Sequence, residues 1–230
     1  MMTPISAAEA MSGITDGSTV LISGFGTAGL PANLIDALLN CGARDLTIVS
    51  NNAGNGESGI AALLAAGRVR KVVCSFPRQS DSYVFDSLYR SGEVELELVP
   101  QGNLAERIRA AGAGIPAFYT PTGYGTTLGE GKESRVFGGR GCLLEYALGG
   151  DVALIAAKSA DRLGNLVYNK TARNFGPIMA AAAALTIVEV GTIVEPGALD
   201  PEIIVTPGIY VDRLVVAQPR CSLVGEGSEV

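Results

Sequence analysis

Short apolar, β-branched stretches alternate along the chain with stretches whose apolar residues recur every three or four positions. The former predict buried strands and the latter predict amphipathic helices. Strands are predicted at Thr19–Ile22, Leu46–Val49, Val69–Cys74, 151–156, 185–190 and 210–217, and helices at 6–13, 31–41, 60–66, 82–91, 104–111 and within 170–184. Because strands and helices take turns, we expect an α/β fold with a largely parallel sheet and helices on both faces.

Two further stretches predict strands of another kind. Residues 93–99 alternate strictly between charged and apolar side chains, which is typical of a half-exposed strand. Residues 132–144 predict a β-hairpin that turns at Gly138 and Gly139 and adds an antiparallel extension. The Gly- and Pro-rich segment 112–125 is too long for a plain turn and is expected to pack over a site. We predict one domain over residues 1–230, with flexible ends at 1–5 and 224–230.

Local signals mark the ends of several predicted helices. Ser6, with Glu9 three positions later, forms a capping-box pattern. Asn103 is expected to cap the helix at 104–111. Pro31 is expected in the first turn of its helix, and Gly42 is expected to end that helix.

A glycine loop joins the first predicted strand to the next helix. It consists of Ser23, Gly24, Phe25, Gly26, Thr27, Ala28 and Gly29. Its glycines let the backbone turn tightly and approach a ligand closely. The N-terminus of the helix that follows should present free N–H groups and the positive end of the helix dipole, which favours an anion such as phosphate.

Gly24, Gly26 and Gly29 also spell the GxGxxG fingerprint of dinucleotide-binding proteins. That fingerprint requires an acidic side chain for the ribose at the end of the second strand, about 20 residues on. The second predicted strand ends instead in Ser-Asn-Asn at 50–52, and Asp45 stands at its start. A nucleotide site and a tight turn without a ligand therefore both stay open as interpretations.

A second polar, glycine-rich loop follows the second predicted strand at residues 50–59. The carboxyl ends of neighbouring parallel strands meet at one edge of a sheet, where ligands bind in open α/β folds. Either loop alone is compatible with an ordinary turn. Two of them at adjacent strand ends favour a binding site.

Composition narrows the classes of function. The 230 residues are 47% apolar, which suffices for a substantial core, and no apolar run is long enough to cross a membrane. The N-terminus carries no signal-peptide pattern. The four cysteines are widely spaced, so neither a disulfide framework nor a zinc site is expected, and the default localisation is cytoplasmic. A net charge of −6 with scattered basic residues argues against nucleic acid as a partner.

The chain contains no histidine. This excludes Ser-His-Asp and Cys-His mechanisms within the chain and removes the commonest metal ligand. A nucleophile or general base would have to be a carboxylate, Lys, Tyr or Cys, or would have to come from another chain. No metal site is expected.

Several stretches together resemble the A subunits of the family I CoA-transferases, the 3-oxoacid CoA-transferases. They are DGSTVLISGFGTAGLP (16–31), SNNAGNGESG (50–59), VPQGNLAERIRAAGAGIPAFYTPTGYGT (99–126), GDVALIAAKSADRLGNLVYNKTARNF (150–175) and VTPGIYVDRLV (205–215). Residues 50–92 are most similar to the members that act on 3-oxoadipate, while the acetoacetate enzymes share the general motifs. The resemblance covers nearly all of the chain.

The resemblance implies transfer of CoA from succinyl-CoA to a 3-oxoacid, most specifically 3-oxoadipate in the β-ketoadipate pathway of aromatic catabolism. The family reaction passes through a glutamyl-CoA thioester and needs neither cofactor nor metal; the CoA thioester is a substrate. The nucleophilic glutamate belongs to a B subunit. The resemblance therefore implies half of an enzyme, active together with a B subunit in a heterotetramer or larger assembly.

The resemblance also implies roles for single residues. The CoA-binding loop falls on residues 23–29, with Ser23 where the family commonly has Gly. Gln101 would stabilise the oxyanion of the reacting carbonyl; capping of the helix start is its alternative. Asn51 and Asn52 would orient the partner's glutamate or the acyl carboxylate through side-chain N–H groups. Asx turns are the alternative for both.

Arg78 is a candidate from the residues alone. It stands in a polar loop after an apolar strand, and the distal carboxylate of a dicarboxylate such as 3-oxoadipate requires a cation. A bidentate guanidinium suits that task. A solvated surface arginine is the alternative.

Two other classes of function stay open. An NAD(P)-binding oxidoreductase is suggested by GFGTAG, although the acidic ribose ligand and a histidine are both missing. A non-catalytic regulator that senses sugar phosphates would share this kind of fold. The acidic charge and the lack of an evident DNA-binding segment count against the regulator.

Overall fold

Within residues 1–218, a mostly parallel sheet of eight strands forms the centre of the fold. The computed structural model describes residues 1–218. The parallel strands are β1 (Thr19–Ile22), β2 (Leu46–Val49), β3 (Val69–Cys74), β4 (Glu95–Leu98), β8 (Gly150–Asp161), β10 (Ala183–Val194) and β11 (Arg213–Val216). The short strand β9 (Leu166–Val167) runs antiparallel beside β8. The order β11-β10-β8-β1-β2-β3-β4 puts the topological switch between β1 and β8.

Helices cover both faces of this sheet, as predicted. They are α1 (Ala7–Ala10), α2 (Ala32–Cys41), α3 (Ile60–Ala65), α4 (Tyr83–Ser91), α5 (Gln101–Gly112) and α6 (Gly176–Ala180). Helices α1–α4 share an apolar core with Val20 and Ile22 of β1. Helices α5 and α6 pack on the other face, against Leu21 and Val49. Successive residues of β1 thus point to opposite cores, which explains why the strand is apolar throughout.

A separate three-stranded antiparallel sheet extends the fold. It consists of β5 (Ala117–Thr120), β6 (Ser134–Phe137) and β7 (Arg140–Tyr146), in the order β5-β7-β6. The predicted hairpin is confirmed: β6 and β7 join at Gly138 and Gly139, whose φ values of 54° and 79° suit a tight hairpin turn. The segment 112–125 is not purely irregular, because β5 lies within it and pairs with β7.

Pairing between distant segments corrects three predicted elements. The strands expected at 151–156 and 185–190 extend over Gly150–Asp161 and Ala183–Val194, because β8 and β10 pair with each other along almost their whole length. The alanine-rich helix expected within 170–184 is reduced to a 3₁₀ turn (Lys170–Arg173) and the short α6. Ala183 pairs with Gly150 in the sheet, so tertiary pairing overrides helix propensity there.

The helix-end predictions have mixed outcomes. Ser6 accepts a hydrogen bond from the backbone N–H of Glu9 (3.1 Å), and Gly42 ends α2 with φ 87°. Pro31 precedes α2 instead of lying in its first turn. The prediction for Asn103 is wrong: α5 begins at Gln101, and the buried Asn103 amide donates to Glu145 Oε1 (3.3 Å) instead. A buried carboxylate competes successfully for that amide.

The N-terminal end makes contacts with the rest of the fold. The backbone N–H of Met2 donates to the carbonyl of Arg162 (2.7 Å), and that of Ile5 donates to Leu214 (3.0 Å). Flexibility of residues 1–5 stays a prediction, and the predicted flexible end at 224–230 lies outside the described residues. Short 3₁₀ turns also occur at Thr127–Gly129, Pro201–Ile203 and Gly208–Tyr210.

Candidate active site

Two loops meet where β1 and β2 end, beside the topological switch. Leu30, just after the glycine loop at 23–29, lies between them. A Cβ built on Gly24 would be 3.2 Å from Leu30 Cδ1, and one built on Gly59 would be 3.1 Å from Leu30 Cδ2. The loops at 23–29 and 50–59 are therefore neighbours, as their positions after adjacent strands predict.

The glycine loop is a tight turn held by a residue far away in sequence. Phe25 and Ala28 exchange backbone hydrogen bonds of 3.0 and 3.2 Å. The Asn174 side chain accepts from the Gly24 N–H (3.0 Å) and donates to the Ala28 carbonyl (2.9 Å). The backbone N–H groups of Gly26 and Thr27 bond to no other described residue, so they are available to a ligand.

Ser23, the first residue of the glycine loop, faces into the protein. Its Oγ donates to the Gly29 carbonyl (2.8 Å) and accepts from the Ala156 N–H (3.2 Å). The residue is 1% exposed. Ser23 therefore closes the loop and joins it to β8, and its side chain points away from any ligand on the outer side.

The N-terminus of α2 is already occupied by a carboxylate. Glu189 Oε2, on β10, accepts from the backbone N–H groups of Asn33 (2.8 Å) and Leu34 (3.1 Å). This corrects the expectation that free N–H groups there would bind a phosphate. A negative side chain satisfies the same donors and the same dipole from within the chain.

Asn51 and Gln101 form a hydrogen-bonded pair at the ends of β2 and β4. Gln101 Nε2 donates to Asn51 Oδ1 at 2.7 Å, and Ser75 Oγ, after β3, donates to the same oxygen at 2.8 Å. Asn51 is 1% exposed, whereas Gln101 reaches solvent. With Oδ1 used by two donors, the Asn51 Nδ2 group has no partner among the described residues. The second N–H of Gln101 is also free to donate.

Asn52 serves a different purpose from its neighbour. Its Oδ1 accepts from the backbone N–H of Gly54 at 3.0 Å, which is an Asx turn. The turn brings Gly54, at φ 91°, so close to α3 that an added Cβ would lie 2.5 Å from the Ala61 nitrogen. The Asx turn, which was the alternative predicted for both asparagines, is thus observed for Asn52. The Asn51 side chain bonds instead to Ser75 and Gln101. The alternative role of Gln101, capping the start of α5, is not observed, because no side chain caps that helix.

A cavity of about 270 Å³ connects the glycine loop to Gln101. Its described lining comprises Phe25, Gln101, Gly102, Ala105, Asn174, Phe175 and Ile178. Phe25 is 54% exposed at its mouth. These residues offer amide groups and apolar surface, but none is an Asp or a Glu.

Arg78 lies outside this group. Its Nε donates to Asp86 Oδ1 on α4 at 2.6 Å, and the side chain is 55% exposed. It does not line the cavity at Gln101. Its predicted role toward a distal carboxylate stays a prediction, and the ion pair with Asp86 would have to open for it.

Cys74, at the end of β3, is not available as a nucleophile. Burial raises the pKa of its thiol to about 12, against a smaller opposing effect of a backbone hydrogen bond at Phe76. The group therefore stays protonated at neutral pH, and a protonated thiol is a poor nucleophile. Among the described residues, no cluster of three or more Asp, Glu, Cys or His side chains is arranged to hold a metal ion.

Sequence reasoning missed the residues that position the site. Asn174, Ser75 and Glu189 each act through a contact with a segment distant in sequence. No local pattern identifies them, although Asn174 lies in the stretch NKTARNF that carries part of the resemblance. No helix in the described part of the chain is both long and apolar enough to cross a membrane.

The sequence and the fold both match known proteins. The family model described as "Coenzyme A transferase" matches residues 5–217. The chain is 68% identical to the A subunit of the 3-oxoadipate CoA-transferase of Pseudomonas putida over 210 residues, 91% of each chain. It is 51% identical to the A subunit of the probable succinyl-CoA:3-ketoacid coenzyme A transferase of Bacillus subtilis, over 92% of this chain and 88% of that protein.

Among solved structures, an acyl-CoA transferase of Escherichia coli O157:H7 superposes with a TM-score of 0.85 at 25% identity. The match covers 100% of this chain and 49% of the other, so the chain spans about half the length of that protein. The family match covers nearly all of the described residues, and the two relatives match over nearly their full length. This chain belongs to the coenzyme A transferase family.

Proposed function

We infer that this chain is the A subunit of a transferase that moves CoA from succinyl-CoA to 3-oxoadipate. Support comes from the relative in Pseudomonas putida, which is 68% identical and is named as the A subunit of a 3-oxoadipate CoA-transferase. The cavity between Phe25 and Gln101 is the observation that supports a nucleophile from a second subunit. Its described lining has hydrogen-bond donors but no carboxylate that could act as the nucleophile.

In this mechanism the thioester carbonyl is attacked by a glutamate of the B subunit, and CoA leaves as a thiolate. The thiolate then attacks the glutamyl carbonyl of the resulting anhydride, which releases succinate. The 3-oxoacid carboxylate finally takes the CoA by the same two steps in reverse. Each step places negative charge on a carbonyl oxygen, so a donor preorganised against that oxygen accelerates all of them.

The A subunit supplies such donors. Gln101 donates its second N–H to the oxyanion, while Asn51 and Ser75 fix its amide through the 2.7 and 2.8 Å bonds. The Nδ2 group of Asn51 orients the partner's glutamate or the acyl carboxylate. The N–H groups of Gly26 and Thr27 bind the CoA chain as it passes the glycine loop.

The same proposal defines what the enzyme requires. The B subunit completes the site in a heterotetramer, and neither a metal nor a further cofactor takes part. We place the enzyme in the cytoplasm, in the β-ketoadipate pathway of aromatic catabolism. The glycine fingerprint does not favour a dinucleotide, because β2 is followed by Ser50, Asn51 and Asn52 and Glu189 occupies the N-terminus of α2.

A reconstitution assay tests this function. Succinyl-CoA and 3-oxoadipate are added to this chain and its B subunit, and the product is followed as the absorbance of its magnesium enolate. We expect activity only when both chains are present. Activity of this chain alone would show that one of its own carboxylates is the nucleophile, and inactivity of a well-folded complex would contradict the proposal.

Acetoacetate is the second candidate acceptor, favoured by the 51% identity to the Bacillus subtilis 3-ketoacid enzyme. 3-Oxoadipate has a distal carboxylate and acetoacetate has none. A variant of Arg78, the candidate partner of that carboxylate, therefore distinguishes the two acceptors. Arg78→Met should raise the KM for 3-oxoadipate and leave that for acetoacetate unchanged. An unchanged KM for 3-oxoadipate would remove Arg78 from the site.

A further inference from the structure

A cluster of positive charge lies beside the glycine loop. Lys158 on β8, together with Lys170 and Arg173 of the 3₁₀ turn, lines a cavity of about 740 Å³. Tyr168, Ile203 and Val205 add apolar surface to it. We call this cavity the cationic pocket.

The three cations lack anionic partners within the described part of the chain. None of them forms an ion pair or a side-chain hydrogen bond there, although the chain carries 23 Asp and Glu residues. Elsewhere in the fold, cations such as Arg107 and Lys132 pair closely with carboxylates, at 2.8 and 2.6 Å. Uncompensated like charges around one cavity repel each other and attract an anion.

The backbone of this segment is also held in unusual conformations. Lys170 has φ 51° and Asn174 has φ 21°. Positive φ values are uncommon for residues other than glycine. Such strain persists where surrounding contacts impose it, and it is concentrated at functional sites. Here the imposed conformation places Lys170 and Arg173 on the same cavity while Asn174 holds the glycine loop.

The cationic pocket is continuous with the loop that is proposed to hold CoA. A cavity of about 240 Å³, which shares Lys158 with it, is lined by Gly29, Ala172 and Gly191. Gly29 approaches this segment so closely that an added Cβ would lie 2.2 Å from the Ala172 carbonyl oxygen. With the N-terminus of α2 closed by Glu189, a phosphate near the loop needs a different positive partner.

We propose that Lys158, Lys170 and Arg173 bind the phosphate groups of coenzyme A. The proposal rests on the proposed function and adds a subsite to it. Coenzyme A carries a pyrophosphate and a 3′-phosphate at one end and its thiol at the other. Lysine and arginine provide charge-assisted hydrogen bonds to phosphate, whereas the uncharged glycine loop suits the neutral pantetheine arm.

The test compares two acyl donors on the complete complex of this chain with its partner. Succinyl-CoA carries the phosphates, and succinyl-pantetheine lacks them. In Lys158→Gln, Lys170→Gln and Arg173→Gln, we expect the KM for succinyl-CoA to rise about tenfold each. The kcat, the KM for the 3-oxoacid and all constants for succinyl-pantetheine should stay as in the unmodified complex.

Arg140→Gln is the matched control. Arg140 is an exposed cation on β7, outside the cationic pocket, and also lacks an ion pair among the described residues. This variant removes the same charge and should leave the KM for succinyl-CoA unchanged. Arg173→Lys, which retains the charge, should recover part of the loss seen in Arg173→Gln.

Three results would overturn the proposal. An unchanged KM for succinyl-CoA would show that the cations do not contact it. An equal loss with succinyl-pantetheine would show that they act through the fold. Dissociation of the variant complex, measured by analytical ultracentrifugation, would assign the cations to an acidic surface of the partner.

A separate measurement distinguishes failure of this proposal from failure of the proposed function. If the unmodified complex transfers no CoA, calorimetric titration with adenosine 3′,5′-bisphosphate still probes the cationic pocket. Binding that is lost in the triple variant supports the phosphate subsite. The proposal is overturned if adenosine 3′,5′-bisphosphate does not bind to the unmodified complex, or if it binds equally to the unmodified complex and the triple variant.

Discussion

At the scale of single residues, Gln101 is the side chain on which the proposed chemistry depends most directly. Gln101→Ala should lower kcat about 100-fold, because it removes one donor to the developing oxyanion. The residue is exposed, and Asn51 Oδ1 keeps its bond from Ser75, so loss of the Gln101 bond should lower Tm by no more than about 2–4 °C. Steady-state kinetics of the reconstituted complex give the result. Arg109→Ala, on the exposed side of the same helix, is the control and should retain full kcat.

Asn51 and Asn52 are neighbours whose removal should have different effects. Asn52→Ala leaves the Gly54 N–H without its acceptor, which should reduce the free energy of unfolding by about 1–3 kcal/mol. Asn51→Ala releases Gln101 and should mainly reduce kcat. Urea unfolding and kinetics on both variants separate the two effects. A greater loss of kcat in Asn52→Ala than in Asn51→Ala would contradict this division.

How far these residues could be identified from sequence depends on what each contacts. The glycine loop and Asn51 stand directly after apolar strands, so their place at the sheet edge follows from local pattern. The pairing of Gln101 with Asn51 joins the ends of β4 and β2. The resemblance indicated each residue separately, and nothing in the sequence predicted that they bond to each other. Glu189 closes a helix 156 residues away, and no spacing rule predicts such a contact.

At the scale of elements, the glycine loop depends on its contact with the 3₁₀ turn. Gly29→Ala would place a Cβ 2.2 Å from the Ala172 carbonyl oxygen, so one of the two segments must move. We expect a fall of about 5–10 °C in Tm, in line with a loss of a few kcal/mol in a chain of this size. Gly26→Ala is the matched control, since it has a similar φ of 61° but open space around the added Cβ. Equal shifts in both variants would show that φ alone matters.

Glu97 joins three elements and should make the fold sensitive to acid. Partial burial raises the pKa of its carboxyl, but hydrogen bonds from Lys71 on β3 and Arg107 on α5 outweigh this and bring the pKa below its ordinary 4.5. A lowered carboxyl pKa stabilises the fold above pH 4.5, and that contribution is lost as the pH falls below this value.

The variant Glu97→Gln tests this pH dependence. Solvent still reaches the carboxylate, so we expect the variant to be less stable by about 1 kcal/mol at pH 7. The difference should shrink as the pH is lowered below 4.5. Glu95→Gln removes a more exposed carboxylate of the same strand and should change the free energy of unfolding by less than about 0.5 kcal/mol. A difference for Glu97→Gln that grows on acidification would reverse the assigned sign.

Elements were predictable from sequence where local pattern and tertiary pairing agree. Strands β1, β2 and β3 have the predicted bounds because each is a short run rich in β-branched residues between turn residues, although β3 also contains Arg70 and Lys71. The helix predicted in the alanine-rich stretch before β10 was wrong, because pairing of Ala183 with β8 decides the conformation there. The prediction that Asn103 caps α5 was wrong for a related reason. Its side chain bonds to Glu145, which is 42 residues away.

At the scale of the whole molecule, the two sheets should unfold together. Helix α5 connects them, because Asn103 bonds to Glu145 of β7 and Arg107 bonds to the Tyr146 carbonyl at 2.8 Å. Urea unfolding followed by far-UV circular dichroism and by hydrogen exchange at 117–146 should give one coincident transition. Earlier exchange in the small sheet would divide the predicted single domain into two units.

The Asn174 bond to the glycine loop also sets an order in time. Asn174 holds the Gly24 N–H across 150 residues of chain. At about 5–20 residues per second, a ribosome needs roughly 8–30 s to reach the second partner after making the first. A nascent chain therefore carries an unbraced loop for most of its synthesis. The loop acquires its final shape only after six of the eight strands of the main sheet have been made.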